Sequence, residues 1–333
     1  MSVSLGLDIG GANIKLADGD TFAKSIPFAL WKDPNALEPL LRRIAEEHAD
    51  QQRIAVTMTG ELCDCFETKQ EGVLHILGAV EAAFPRREIL IWSTTGKFLT
   101  SSEARLDFLD VAAGNWHALA TFAGRFAPQG GALLLDTGST TTDIIPLWEG
   151  EPCSQGKTDE GRLTSGELLY SGVRRTPLCA LMDSHATAEF FANTEDVYVR
   201  LGKLPERPDA SDTADGRAMT MKNAHSRIAR MIGSDGSLLS WERSYEIALD
   251  VFARQRKLIV DRMAQIASRL PKNPQIVILS GSGEFLAQAA WIDFAVELFQ
   301  GEQITPVSLA ENCGAGISEA ACAHAVAVLA GER

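Results

Sequence analysis

Twice in this chain an apolar strand runs into an aspartate, a glycine turn and a second apolar strand, and that repetition limits the possible folds more than any other feature. The first unit is an apolar run over 3–8 that stops at Gly10-Gly11, followed by a second run over 13–17. That run ends at Asp18-Gly19, a strong hairpin signal, and a third run over 21–28 completes a three-strand meander. The second unit is a run over 131–136 ending in Asp136-Thr137-Gly138-Ser139, a partner strand over 141–148, and a turn at Glu149-Gly150. Aligned on the aspartates, Asp8-Ile9-Gly10-Gly11 matches Asp136-Thr137-Gly138-Ser139. The chain is expected to hold two lobes of the same build.

The segments between these units fit that expectation. Pro34 opens a helical stretch over 34–49 with Leu37, Leu40, Leu41, Ile44 and Ala45 on one face. Strands follow at Arg53–Met58 and Glu88–Trp92. Three antiparallel strands and then alternating helix and strand is the order of a ribonuclease-H-like domain. A further apolar strand over 275–279 ends in Ser280-Gly281-Ser282-Gly283 and leads into a helix over 284–290. Helical patterns also cover 218–232, 241–270 and the small-residue-rich segment 312–329. The polar stretch 205–217 has no hydrophobic period and reads as a long surface loop. The fold class predicted is therefore α/β, with two ribonuclease-H-like lobes and a cleft between them. The lobes span 1–128 and 129–310, and a C-terminal helix in 311–333 packs back on the first.

With 333 residues, 45% hydrophobic and 23% charged, the chain can bury ordinary cores. Its net charge of −13 argues against a nucleic-acid surface, which needs clustered Lys and Arg, and against rest on an anionic membrane. No apolar stretch approaches the roughly 20 residues needed to span a bilayer, and no leader pattern opens the chain. A cytoplasmic, reduced protein acting on small molecules is expected, and no pattern sets an oligomeric state. Six cysteines in a chain of this size do not form a disulfide framework. Cys153, Cys179, Cys313 and Cys322 read as buried thiols, and the close pair Cys63 and Cys65 has no usual metal spacing. The histidines, at 48, 75, 117, 185, 225 and 324, show no pair at ligand spacing.

Three glycine turns follow three apolar strands, and each lets backbone N–H groups approach an anion without an intervening Cβ. Gly10, Gly11, Ala12 and Asn13 form the first candidate phosphate turn; Gly138, Ser139, Thr140 and Thr141 form the second, with Thr142 beside them. Gly281, Ser282 and Gly283 form the third. Lys15 offers a cation to a phosphate oxygen. Asp8 and Asp136 can face a shared Mg²⁺, with Asp143 as a further metal candidate. Asp136-Thr137-Gly138 is also the mark of aspartic proteases, but a second such triplet is absent and the helical content is wrong for that fold.

These three turns, in this order, resemble the phosphate-1, phosphate-2 and adenosine motifs of the actin, sugar-kinase and heat-shock-chaperone superfamily. One departure is Ala12, where that superfamily usually carries Ser or Thr. Finer strings resemble one family within it. They are Val56-Thr57-Met58-Thr59-Gly60-Glu61-Leu62-Cys63-Asp64-Cys65-Phe66 followed by Lys69 and Glu71-Gly72-Val73, and Ala112-Ala113-Gly114-Asn115-Trp116-His117-Ala118. Gly166-Glu167-Leu168-Leu169-Tyr170-Ser171-Gly172 with Arg174-Arg175-Thr176-Pro177, and Asp212-Thr213-Ala214-Asp215-Gly216-Arg217, complete the match. The family is that of the methanofuran-biosynthesis enzyme that makes the furanylmethanamine–phenoxy ether. Its bacterial members are described as hydantoinase/oxoprolinase-like, or as tetrahydromethanopterin-linked one-carbon transfer proteins.

The resemblance implies an alkyltransferase rather than a kinase. An aminomethyl-furanmethanol diphosphate would be joined to the phenol of a tyramine or tyrosine derivative, glutamylated or not, with release of pyrophosphate. The enzyme would then mainly stabilise a departing diphosphate, through Mg²⁺ on Asp8 and Asp136, the N–H groups of both turns, and Lys15 or Arg175. Glu61 and Asp64 are the carboxylates expected to take the phenolic proton or meet the furan ammonium; alternatively Thr59, Glu61 or Asp64 caps the next helix. Thr59, Asn115, Asp215 and Arg217 are the substrate candidates, and Asp215 with Arg217 either forms a lid or ties down its loop. The competing functions are an ATP-dependent small-molecule kinase and a nucleotide-gated binding protein without turnover. ATP is not required on the preferred reading.

Overall fold

The computed structural model describes residues 4–183, 185–298 and 304–333; Val3, the expected start of the first run, lies outside them. The first sheet contains β1 (Ser4–Ile9), β2 (Asn13–Ala17), β3 (Ala23–Pro27), β4 (Arg53–Met58), β5 (Glu88–Trp92) and β6 (Phe98–Leu99), in the order β3-β2-β1-β4-β5-β6. The second contains β7 (Gly131–Thr137), β8 (Thr142–Trp148), β9 (Glu151–Pro152), β10 (Leu168–Leu169), β11 (Pro274–Ser280) and β12 (Thr305–Ser308). Its order is β10-β8-β7-β11-β12, with β9 on the free end of β8. In each sheet a hairpin is extended by two parallel strands. β1 pairs antiparallel with β2 and parallel with β4, as β7 does with β8 and β11. The two lobes are built alike, as the repeated turn predicted.

Strand alternation decides how the layers stack. Leu133 and Leu135 of β7 enter the second-lobe core, while Ala132 and Leu134 point to a separate core between the sheets. β7 is thus covered on both faces, which explains its unbroken apolar run. The middle core also takes Ala55, Leu90 and Trp92 from the first sheet and the helices Asn115–Ala123 and Ala321–Gly331. The C-terminal helix lies against β1, β2, β4 and the helix Asn115–Ala123. Gly6 permits that approach: a Cβ there would sit 1.9 Å from the carbonyl oxygen of Ala323. Among the described residues no helix is long and apolar enough to cross a membrane.

Several expected elements change shape. The single helix predicted over 312–329 is three pieces, Leu309–Cys313, Ala315–Glu319 and Ala321–Gly331, broken first at Gly314 with φ of +107°. The helix predicted over 284–290 continues as Glu284–Leu298, and those over 218–232 and 241–270 settle as Met221–Arg230 and Trp241–Ala267. The third strand of the second meander is split. β9 takes one end of β8, β10 takes the other, and the helix Asp159–Ser165 stands between them. Cys322 is buried as expected, but Cys313 is only half-buried, and Cys153, just past β9, and Cys179, in the single 3-10 turn Leu178–Ala180, are exposed.

Candidate functional site

The two hairpins place their polar groups in matching register. Asp8 on β1 stands opposite Lys15 on β2, and Asp136 on β7 stands opposite Asp143 on β8. Each turn is closed by the same bond: the Gly10 N–H donates to the Asn13 carbonyl at 3.0 Å, and the Gly138 N–H to the Thr141 carbonyl at 2.8 Å. The N–H groups of Gly11, Ala12, Ser139 and Thr140 donate to no protein group among the described residues. Four free backbone donors from two facing turns make a nest for an anion.

Between the turns lies a cavity of about 440 Å³. From the first lobe it is lined by Asp8, Gly10, Gly11, Ala12, Asn13 and Lys15, and from the second by Asp136, Gly138, Ser139, Thr140, Thr141 and Asp143. Thr59, Asp64, Asn115 and Arg175 join its walls. It sits beyond the carboxyl ends of β1, β4 and β7, where open parallel sheets leave room for a ligand.

Burial dominates the electrostatics of the floor. It pushes the Asp8 carboxyl up to about 6, against the pull of Lys15 and with the help of Asp143. Asp136 is also pushed up to about 6, by burial and by Asp143, with Lys15 and a 2.8 Å hydrogen bond from the Ser280 hydroxyl opposing the rise. For Lys15, burial works against the charge, but Asp8, Cys322, Asp136 and Glu319 outweigh it and hold its pKa above the ordinary value. Asp143 is raised by burial, with Arg162 opposing. The floor is therefore built around a charged ammonium and carboxylates that are reluctant to ionise until a further cation arrives.

Asp8 keeps one oxygen, Oδ1, buried without a hydrogen-bond partner. Among the described residues no three His, Cys, Asp or Glu side chains converge as a ready metal cage. Mg²⁺ rarely uses such a cage, taking one or two carboxylates together with phosphate oxygens and water. Asp8 and Asp136 fit that pattern. Asp143 fits it less well, because its Oδ1 is already paired with the Arg162 guanidinium.

Several lining residues were not singled out by the sequence. Trp31 carries the Arg175 guanidinium over its ring at 4.7 Å, and Leu62, Leu168 and Tyr170 add apolar wall. Arg162, 2% exposed, stacks over Trp116 at 4.4 Å. Asp159 reaches across the cleft mouth to Lys69 at 3.7 Å. Tyr170 and Lys69 lie in the strings that carried the family resemblance, whereas Trp31, Asp159 and Arg162 have no local signal at all.

Other expected residues stand apart from the cavity. Glu61 is 1% exposed, and neither carboxylate oxygen has a hydrogen-bond partner. Burial pushes its carboxyl up to about 7, and the charge of Asp159 adds to the rise. It lies behind the wall formed by its neighbours Leu62, Cys63 and Asp64. The capping alternative for this segment does not hold, since Thr68 caps the helix Lys69–Ala83. The third glycine turn does not line the cavity either. Gly281 donates to Ser318 Oγ at 3.1 Å and Gly283 to the Thr137 carbonyl at 2.8 Å. A Cβ on Gly281 would come within 2.4 Å of the Thr137 carbonyl oxygen, so its glycine serves close packing of the two turns. Asp215 and Arg217 are also elsewhere: Asp215 bonds Arg217, Arg227 and Arg230, and Arg227 is wholly buried against Asp196. That network ties the loop to the helix Met221–Arg230.

The relatives agree with this architecture. The fold of the whole chain is similar to that of a ROK family glucokinase from Streptomyces griseus, in complex with glucose and AMPPNP, which superposes with a TM-score of 0.52 at 15% identity, covering 99% of this chain and 100% of that one. Nucleotide-free acetone carboxylase reaches 0.57 at 12% identity, covering 97% of this chain and 70% of that one. These likenesses show the fold alone. The hydantoinase/oxoprolinase family model matches residues 53–311. In sequence the chain is similar to the (4-{4-[2-(gamma-L-glutamylamino)ethyl]phenoxymethyl}furan-2-yl)methanamine synthase of Methanocaldococcus jannaschii, 34% identical over 98% of this chain and 96% of that protein. A protein of the same name from Methanococcus vannielii is 32% identical over 59% of this chain and 89% of its own length. This chain belongs to the hydantoinase/oxoprolinase family and, within it, to the enzymes of the phenoxymethylfuran-methanamine synthase group.

Proposed function

We propose that this chain is a cytoplasmic, Mg²⁺-dependent alkyltransferase of methanofuran or methanofuran-like cofactor synthesis. It joins an aminomethyl-furanmethanol diphosphate to the phenol oxygen of a tyramine or tyrosine acceptor, glutamylated or free, and releases pyrophosphate. The observation that carries this reading is one cavity in which an anion nest from both lobes adjoins an aromatic and apolar wall of Trp31, Leu62, Leu168 and Tyr170.

The chemistry follows from those parts. The bond between the furfuryl carbon and the diphosphate oxygen breaks, and its electron pair leaves with the diphosphate. The ring oxygen delocalises the positive charge left on carbon, so the barrier lies mainly in the departing anion. Lys15 and the free N–H groups of Gly11, Ala12, Ser139 and Thr140 line the cavity and would stabilise that charge as it develops. Mg²⁺ held by Asp8 and Asp136 would neutralise further leaving-group charge. The phenol oxygen then bonds to the furfuryl carbon and gives up its proton. Of the two carboxylates considered for that proton, Asp64 reaches the cavity, and we assign the step to it. The absence of a hydroxyl at Ala12 is consistent with a donor that is not ATP. So is a third glycine turn in which the N–H groups of Gly281 and Gly283 are spent inside the protein.

Mass spectrometry tests the reading. One reaction contains Mg²⁺, the furan diphosphate and glutamyl-tyramine or tyrosine; another contains ATP and the unphosphorylated furan alcohol. An ether with stoichiometric pyrophosphate, lost in Asp8→Ala and Asp136→Ala, is expected. ATP-dependent phosphorylation without ether would return the chain to the kinases.

A further inference from the structure

The second hairpin poses a problem for any anion in the cleft. Where the first lobe presents Lys15 opposite Asp8, the second presents Asp143 opposite Asp136, a carboxylate that would repel phosphate. The repeat alone would leave this lobe with the wrong sign of charge.

We propose that Arg162 supplies the missing cation, so that Lys15 and Arg162 hold the two phosphates of one diphosphate from opposite lobes. This rests on the reading of the cleft as a diphosphate site. Arg162 reaches the cavity from the helix Asp159–Ser165, the insertion that splits the third strand of the second meander. Thr158 caps the start of that helix and Gly166, with φ of +82°, ends it, so the residue is carried on a defined element. Asp143 bonds its Nη2, which also lies 3.3 Å from the Glu167 carbonyl, and the Trp116 ring supports its plane.

What remains of the guanidinium points to a ligand. Nη1 donates to no protein group among the described residues and, unlike the buried Nε, is not sealed inside the protein. A guanidinium carries five N–H donors in a fixed fork that matches phosphate oxygens. Asp143 is then a positioning residue: it neutralises and orients the guanidinium through Nη2 and leaves Nη1 for the anion. With Lys15 and Arg162 on opposite walls, and Arg175 also lining the cavity, the site suits the two phosphate groups of one diphosphate.

Calorimetric titration of the full chain with inorganic pyrophosphate, and separately with orthophosphate, both with Mg²⁺, tests this. Arg162→Gln is expected to weaken pyrophosphate about tenfold or more while moving orthophosphate less than about twofold, and Arg162→Lys to recover part of the loss. Because Arg162→Gln leaves Asp143 buried and unpaired, the double variant Arg162→Gln/Asp143→Asn is titrated too, with a thermal melt to show that it is folded. Equal loss for both anions, or pyrophosphate binding within about twofold of the native chain in the folded double variant, would leave Arg162 a purely structural residue and overturn the proposal. Failure of the native chain to bind pyrophosphate would remove the diphosphate reading itself. Normal native binding with an unaffected variant removes only the role of Arg162.

Discussion

The hairpin β1–β2 and the hairpin β7–β8 share an aspartate, a glycine turn, a register and a closing hydrogen bond, yet they differ in the residue facing the aspartate. In the first lobe Lys15 presents its charge directly, with Asp8 opposite it and Cys322, Asp136 and Glu319 around it favouring the charged form. In the second, Asp143 is useful only through Arg162, which arrives on an inserted helix. A duplicated fold can thus keep its backbone geometry while the chemistry of the two halves diverges. The same duplicated frame serves proteins as different as a glucokinase and acetone carboxylase, so the side chains at these positions carry the function.

That contrast predicts opposite phenotypes. Asp143→Ala strands a buried guanidinium and is expected to cost roughly 3–5 kcal/mol of stability, read as a lowered melting temperature. Lys15→Met leaves the fold standing and is expected to cut ether formation about 100-fold or more, read in kcat. If Asp143→Ala proves stable and Lys15→Met unfolds, Lys15 rather than Asp143 is the structural partner.

Acid titration sharpens the comparison of the two aspartates. Asp8 and Asp136 are both pushed up to about 6 and Glu61 to about 7, above ordinary carboxyl values near 4. Raised native pKa values mean that the folded chain holds these protons more tightly than the unfolded one. Ligand-free stability is therefore undiminished by these groups below about pH 4 and falls as pH rises through 6 and 7. Melts at pH 5 and 8 without metal are expected to differ by several degrees in favour of pH 5 once charge effects of the surface are matched. Glu61→Gln is expected to narrow that gap, and added Mg²⁺ with pyrophosphate to narrow it further. A gap unchanged by Glu61→Gln contradicts the assignment of a buried, partnerless carboxyl.

Two smaller changes probe the edges. Asp215→Ala is expected to cost about 1–3 kcal/mol through Arg227 while leaving kcat/KM within about twofold, since the residue serves the loop and not the cavity. Ala12→Ser, which restores the hydroxyl usual in the wider superfamily, is expected to change ether formation less than about threefold and to bring no ATP hydrolysis. ATP turnover in that variant would show that the first lobe is one residue from a kinase.

The repeat was legible because its signals are local: a strand end, a glycine and an alternation of apolar residues all lie within a dozen positions. The residues of both turns, Lys15, Asp64 and Asn115 were named from sequence and line the cavity together. Arg162 was invisible because its meaning depends on Asp143 across an insertion, a tertiary pairing with no spacing rule. Trp31 is in the same position, brought in where the Leu30 N–H bonds the Gly11 carbonyl at 2.9 Å. The charged string from Asp212 to Arg217 suggested substrate contact, but its charges are consumed by Arg207, Arg227 and Arg230 of the same lobe. Glu61 was placed near the cleft by its strand, yet one turn of chain puts its side chain behind the wall.

The most direct test is a crystal structure with Mg²⁺ and pyrophosphate. One diphosphate is expected between Gly10–Asn13 and Gly138–Thr141, within hydrogen-bond reach of Lys15 and with metal on Asp8 or Asp136. A diphosphate bound at the Gly281–Gly283 turn, or held by one lobe without the other, would contradict that expectation.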